Sequence, residues 1–205
     1  MANSKENQRR EQILAAALDV IIEKGYEKSR MDDIVKASKL SKGAIYWYYK
    51  SKKDVYLSLV NHWVFNFSAT LNNIVEEDHS ASDQLRELFQ FFLNQYQVNP
   101  RPFKAMMEFW SLAARDDDVQ NKIQKVYTEF LNLIENILIK GVESGEFDLL
   151  DTKIAALSIM VNIEGIIWFT IFDVPDVSIS AYIDTISNFI LTGLAKDTNG
   201  GINNE

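Results

Sequence analysis

Apolar residues recur at three- and four-residue steps along most of the chain, the spacing of a single buried helical face. Ile13, Leu14, Ala17, Leu18 and Ile21 set the pattern and predict a helix over residues 9–24, stopped by Gly25. Residues 1–8 read as a flexible polar arm. Ser29 stands as an N-cap with Asp32 three residues on, an acidic variant of the capping box. It opens a short helix over 31–38 that turns Ile34 and Val35 inward. Ser41 caps a second short helix over 42–48. Ser51 opens a fourth helix, with Val55, Leu59, Trp63 and Phe67 along it. Longer helices follow over 83–97 and, after the break at Asn99-Pro100-Arg101-Pro102, over 103–114. Another runs from the acidic Asp116, Asp117 and Asp118 to Gly141, where negative charge suits a helix start. The next starts at Asp151, and the last covers 178–194, closed by Gly193. The tail from Lys196 reads as frayed. No repeat and no strand pattern beyond a few residues interrupts this order.

Composition narrows the class. The 205 residues are 47% hydrophobic and 24% charged, a globular balance that excludes a disordered chain. Three prolines and eight glycines fit long helices better than a turn-rich β-sandwich, so the fold is expected to be all-α. The lack of cysteine removes disulfides, thiolate zinc sites and cysteine nucleophiles. His62 and His79 lie too far apart for a histidine metal site. There is no glycine-rich phosphate loop, nucleophile pair or paired-carboxylate motif. The expectation is a protein that is not an enzyme and holds no cofactor or metal. The first eleven residues are polar, without a signal-peptide core, which points to the cytoplasm. Residues 154–172 carry one charge, Glu164, and are long enough to span a bilayer. Asn162, Glu164 and Gly165 inside the stretch, and the lack of a flanking basic cluster, favour a helix buried on nearly all sides and no membrane.

Charge is unevenly distributed. Residues 1–60 carry 12 Lys/Arg against 8 Asp/Glu, a net of +4, and the rest carry 9 against 21, a net of −12. That asymmetry fits a small polyanion-binding module on an acidic body. Two short helices joined by a tight turn, after a longer supporting helix, form a helix-turn-helix pattern. The second contains Tyr46-Trp47-Tyr48-Tyr49, which fan around about 300° of a helix. They cannot all be buried. Tyrosines beside lysines suit phosphate and sugar contact, and the small Gly43 and Ala44 permit close approach to bases.

The segment from Ser29 to Lys53 resembles the DNA-binding signature of the tetracycline-repressor (TetR/AcrR) family. Ser29, Ile34, Ser41, Gly43, Ile45, Tyr46, Tyr48, Tyr49, Ser51 and Lys52 stand in register with it. Val35 and Ser38 replace alanines, Tyr49 replaces a phenylalanine, and Lys39 stands where glycine is usual. A left-handed backbone at Lys39 costs up to about 1 kcal/mol. The specific likeness covers about the first 60 residues. It implies an N-terminal three-helix helix-turn-helix DNA-binding domain over 1–50 and a C-terminal helical ligand-binding and dimerisation domain over 51–205. It also implies a homodimer formed by the last two long helices, 154–172 and 178–194. Such a dimer reads a palindromic double-stranded DNA operator and is usually a repressor released by a small molecule.

The resemblance assigns roles by position. Lys42 is the candidate for guanine O6 and N7, and Ala44 for a thymine methyl. Tyr46, Trp47 and Tyr48 are assigned to phosphate and sugar. Lys52 is assigned to a phosphate, together with the amides of its helix. Arg30 is a further phosphate candidate, while Ser29 and Ser41 either touch phosphate or only cap. Arg9 and Arg10 read as solvated rather than as minor-groove arms. In the acidic body, Phe89, Phe91 and Phe92 cannot all point one way, and neither can Met106, Met107 and Trp110. The surplus apolar surface belongs to a partner subunit or a ligand. The expected cavity draws on Trp63, Phe67, Phe92, Tyr96, Met107 and Trp110. It continues through Tyr127, Phe130, Ile163, Ile166 and Trp168, for a hydrophobic or aromatic effector. Asn162 and Glu164 serve either that ligand or the dimer. The alternative is a helical lipid-binding or interaction protein that never touches DNA.

Overall fold

A computed structural model describes residues 2–76, 79–148, 151–172 and 175–196. Among them the helices are α1 (Ala2–Lys28), α2 (Met31–Ser38), α3 (Lys42–Tyr48), α4 (Lys52–Glu76) and α5 (Ala81–Val98). They continue as α6 (Arg101–Ala113), α7 (Asp117–Glu143), α8 (Thr152–Glu164) and α9 (Ile179–Leu194), with a 3-10 segment, Gly165–Thr170, after α8. An isolated antiparallel bridge joins Phe147 and Ala195. The frayed tail expected beyond residue 196 lies outside the described residues.

Two compact units form, residues 1–69 with 100–126, and residues 70–99 with 127–205. These packing units are drawn differently from the division expected at residue 50. In the first unit, α1 packs against α2 and α6. Ile13, Ala17, Ile21, Ile34, Ile45, Val55, Leu59 and Phe109 share one core. In the second unit α5 packs on α9, and Leu85, Leu88, Phe89, Ile134, Ile137, Ile159 and Ile183 are buried.

Several boundaries differ from expectation. The polar arm is helical from Ala2, because Arg10 pairs with Glu6 one turn back and Arg9 donates to Gln12. Gly25 does end the regular helix, at φ 73° and ψ 164°. The N-cap of α2 is Arg30 rather than Ser29, and the capping carboxylate is Asp33 rather than Asp32, accepting from the Arg30 N–H at 2.8 Å. Lys39 is left-handed at φ 57°. Pro100 and Pro102 do not delay α6, since proline is tolerated in a first turn. Gly193 lies inside the last turn of α9.

Residues Thr152–Thr170 are long and apolar enough to cross a membrane, by length and composition alone. The expectation of burial on nearly all sides does not hold, since only a third of this stretch is buried in the chain. Ile154, Leu157, Val161 and Trp168 are exposed, because only one face of α8 meets the core of its unit. The regular helix also ends at Glu164, before the 3-10 turn.

The loop after α7 is pinned to the start of α5. Glu146 accepts from the N–H groups of Ala81 and Ser82, both at 3.1 Å, and from the Ser144 hydroxyl. Burial opposes its charge, but these donors outweigh burial and leave the pKa lowered. A lowered pKa means stability that is present above the ordinary glutamate range and lost as pH falls through the folded value. Glu146→Gln is therefore expected to cost about 1 kcal/mol at pH 7, as loss of a helix-start acceptor does. In urea melts the gap to wild type should narrow as pH falls from the ordinary glutamate range toward the lower folded value. A gap that does not change with pH would refute this account.

Candidate nucleic-acid interface

The register of α3 is set by what it buries. Ile45 and Tyr49 lie in the core of the first unit. Residues at neighbouring positions must then point outward. Tyr46 is 42% exposed and Trp47 is 84% exposed. An indole so exposed gains nothing from its own chain. Ser41 caps the helix, accepting from the Ala44 N–H at 3.2 Å. Gly43 is exposed, and a Cβ there would meet no atom of the chain within 4 Å. No internal contact therefore requires a small residue at that position.

Cations surround this tip. Lys42 lies 5.8 Å from the centre of the Tyr46 ring and donates to Asp32 at 2.8 Å, with both side chains largely in solvent. The Asp32 hydrogen bond, and then its charge, hold the Lys42 pKa above the ordinary lysine value. Arg10 covers the Tyr48 ring at 5.3 Å. It is therefore not simply solvated, although it does also pair with Glu6. Lys36, Lys39 and Lys50 are exposed and make no ion pair among the described residues. Lys36 and Lys50 escaped sequence reasoning; their place beside the aromatic run on a basic segment was the available signal. Arg30 is exposed at the N-cap of α2.

Two assigned phosphate contacts point elsewhere. Ser29 is 2% exposed. Its hydroxyl donates to the Tyr26 carbonyl at 2.7 Å and accepts from the Tyr56 hydroxyl at 3.2 Å. A buried hydroxyl with both partners supplied does not reach a phosphate. Burial pushes the Tyr56 phenol up to about 12, so it stays a donor throughout the neutral range. The Lys52 ammonium donates to the carbonyls of Tyr26 and Ser29 and lies 4.0 Å from the Tyr26 ring centre. Burial lowers its pKa. Its charge serves the free carbonyls where α1 ends.

The expected cavity residues separate. Trp63, Phe67, Met107 and Trp110 belong to the first unit, and the others to the second. Trp63 packs edge-on to Phe109 at 5.5 Å, and Met107 is exposed rather than enclosed. In the second unit Phe92 meets Phe130 at 5.3 Å, and the Tyr96 hydroxyl donates to the Phe169 carbonyl at 3.0 Å. Ile163 and Ile166 are buried in the core. Trp168 is 61% exposed and stacks on Phe172, which corrects its placement inside a cavity. Asn162 donates to the Ser158 carbonyl within its own helix. Burial raises the Glu164 pKa, and a hydrogen bond with Tyr127 partly offsets this. A pocket of about 410 Å³ is lined by Tyr96, Phe169, Thr170, Ile171, Phe172, Val177 and Ile179. Tyr96 alone of the expected residues lines it. Among the described residues no acidic or histidine cluster could hold a metal ion.

Comparison with known proteins decides the class. Residues 13–59 match the family model of tetR-type bacterial regulatory proteins, and residues 81–195 match that of the C-terminal part of BetI-type transcriptional repressors. The chain belongs to the TetR family. It is a ligand-responsive, DNA-binding transcriptional regulator, of a family that acts on operators as dimers. The fatty acid metabolism regulator protein of Bacillus subtilis is 24% identical over 188 residues, 89% of this chain and 94% of that protein. The structure of FadR from B. subtilis with stearoyl-CoA superposes with a TM-score of 0.78 at 24% identity, covering 89% of this chain and 98% of that one. FadR from Bacillus halodurans gives 0.79 at 25% identity, covering 91% and 96%. Family membership displaces the alternative of a helical protein without DNA binding.

The Ser29–Tyr56 contact yields a check on the corrected assignment. Ser29→Ala and Tyr56→Phe are each expected to cost about 1 kcal/mol, and the double variant less than their sum. Neither should weaken DNA binding beyond what the shared loss of stability accounts for. A loss of DNA affinity in Ser29→Ala that Tyr56→Phe does not share would restore Ser29 as a phosphate contact.

Proposed function

We propose that this TetR-family regulator represses from a palindromic operator and is released by a largely apolar effector carrying a long acyl chain. One observation carries the DNA side of this reading: Tyr46 and Trp47 stand in solvent beside Lys42 on the helix that Ile45 and Tyr49 anchor. In this reading Lys42 reads a guanine edge and Ala44 a thymine methyl, while Gly43 lets the backbone approach the groove. Tyr46, Trp47 and Tyr48 lie along sugar and phosphate. Arg30, Lys36, Lys39 and Lys50 add charge, and Ser41 keeps its capping bond while α3 docks.

The effector side is supported by the aromatic lining of the second unit, Phe92, Tyr96 and Phe130, and by the acyl-CoA in the similar FadR structure. Tyr127 and Glu164 supply the polar end. The exposed apolar face of α8 (Ile154, Leu157, Val161) and Phe189 of α9 suit a two-fold partner, since this much apolar surface is costly in water. Such a regulator works in the cytoplasm, where its operator is. Helices α4 and α7 contribute residues to both units. Release then follows by linkage, with effector and DNA weakening each other by one common factor.

Two experiments test this. Lys42→Ala is expected to weaken operator binding by about 1–3 kcal/mol and to relax specificity at one base position, and Gly43→Val to abolish specific binding with helical content intact. Unchanged affinity in both would remove the interface. Stearoyl-CoA, stearic acid and free coenzyme A are then titrated against the operator complex. Release by stearoyl-CoA alone supports the reading. Indifference to every acyl compound, with an aromatic compound active instead, would refute the acyl class.

A further inference from the structure

The peptide groups of Tyr26 are held from two sides, within the first unit. Gly25 turns the chain out of the helix, and the Tyr26 N–H donates to Glu108 Oε2 of α6 at 2.9 Å. The fit is close, because a Cβ at Gly25 would lie 3.2 Å from the same carboxylate oxygen. On the other side of the residue, the Tyr26 carbonyl accepts from Lys52 at the start of α4. Lys52 also reaches the Ser29 carbonyl at 2.9 Å, and the Tyr26 ring lies edge-on to Tyr56, one turn along α4. The next residue, Lys53, pairs with Asp116 at 2.8 Å and Asp118 at 2.7 Å, just beyond α6. Helices α4 and α6 thus grip the corner from which the helix-turn-helix springs.

We propose that Lys52 and Glu108 are positioning residues that clamp the Tyr26 peptide between α4 and α6 and so set the direction of the recognition helix. Neither touches DNA. For Lys52 to reach a phosphate it would have to leave two carbonyls and an aromatic face, exposing acceptors that α1 cannot satisfy itself. Glu108 fixes the opposite edge of the same residue through a charge-assisted bond to a backbone amide, whose direction is rigid. A dimer spans two half-sites at one spacing only if both recognition helices hold their angle. The clamp therefore acts on spacing, not on base identity.

The test uses the full-length protein, a duplex selected from a random library by that protein, and versions of it with the half-site spacing changed by one base pair. Lys52→Met and Glu108→Ala are each expected to reduce the preference for the selected spacing by about tenfold. Glu108→Gln should restore it, because its side-chain oxygen still accepts from the Tyr26 N–H. The salt slope should be unchanged in Lys52→Met, and a fall of about 1 would make Lys52 a phosphate contact and overturn the proposal. A lowered melting temperature with spacing preference intact in both variants would show a merely structural role and overturn it too. If Lys52→Met does not fold, the Glu108→Ala and Glu108→Gln pair decides the matter. The spacing readout rests on the palindromic reading above, which fails on its own if the wild type shows no spacing preference. The decision then passes to hydrogen exchange at the Tyr26 amide: faster exchange in Glu108→Ala with an unchanged Lys52→Met slope supports the clamp, and unchanged exchange overturns it.

Discussion

The burial of Ile45 and Tyr49 is the constraint on which the rest of the molecule's chemistry depends. Helix α3 has seven residues, too few to be stable alone in water. Ile45 is fully buried among Ile13, Ala17, Ile34 and Leu59, worth about 2–3 kcal/mol of transfer free energy. Tyr49, buried at the end of the same helix, adds a second anchor four residues on. Two anchors on one face fix the rotation of the helix. Once rotation is fixed, Tyr46 and Trp47 have nowhere to go but outward. The exposed aromatic pair follows from the apolar pair beneath it.

Local signals were legible in the sequence because they act over three or four residues. The Ser41 cap, the span of α3 and the stop at Gly25 all depend on neighbours in the chain. The start of α1 failed because a polar run reads as an arm, although Glu6 and Arg10 at one-turn spacing support a helix. Ser29 and Lys52 failed for a different reason. Both match a signature, but their fates are set by Tyr56, 27 residues beyond Ser29, and by carbonyls at a helix end 26 residues before Lys52. Glu108 is 82 residues from Tyr26 and carries no local mark at all. A side chain's partner across the fold is not written in its own neighbourhood.

The effector region shows the same limit in apolar form. Periodicity identifies residues that avoid water, and it does not say what replaces the water. Ile163 and Ile166 go to the core, Trp168 and the outer face of α8 stay exposed, and Phe92 and Phe130 meet each other. All of these read alike as surplus apolar positions. The charged exception is informative. A half-buried carboxylate such as Glu164 loses hydration, and its raised pKa records that cost. Tyr127 recovers part of it.

Charge pairing within the first unit limits how strongly the tip attracts DNA. Lys24 is paired with Asp33, Lys53 with Asp116 and Asp118, and Lys52 is spent on carbonyls. The formal excess of the first 60 residues is therefore not all available to phosphates. Arg30, Lys36, Lys39 and Lys50 are exposed and make no ion pair among the described residues, and Lys42 is held by Asp32. An exposed pair such as Asp32–Lys42 contributes little to folding. In the docking proposed above its effect falls on recognition: a base would replace the Asp32 carboxylate as the acceptor for Lys42, and a phosphate brought to the same place would meet the Asp32 charge. Weak general attraction joined to a conditional base contact raises the ratio of specific to non-specific binding, the quantity that matters when operator sites are few among many.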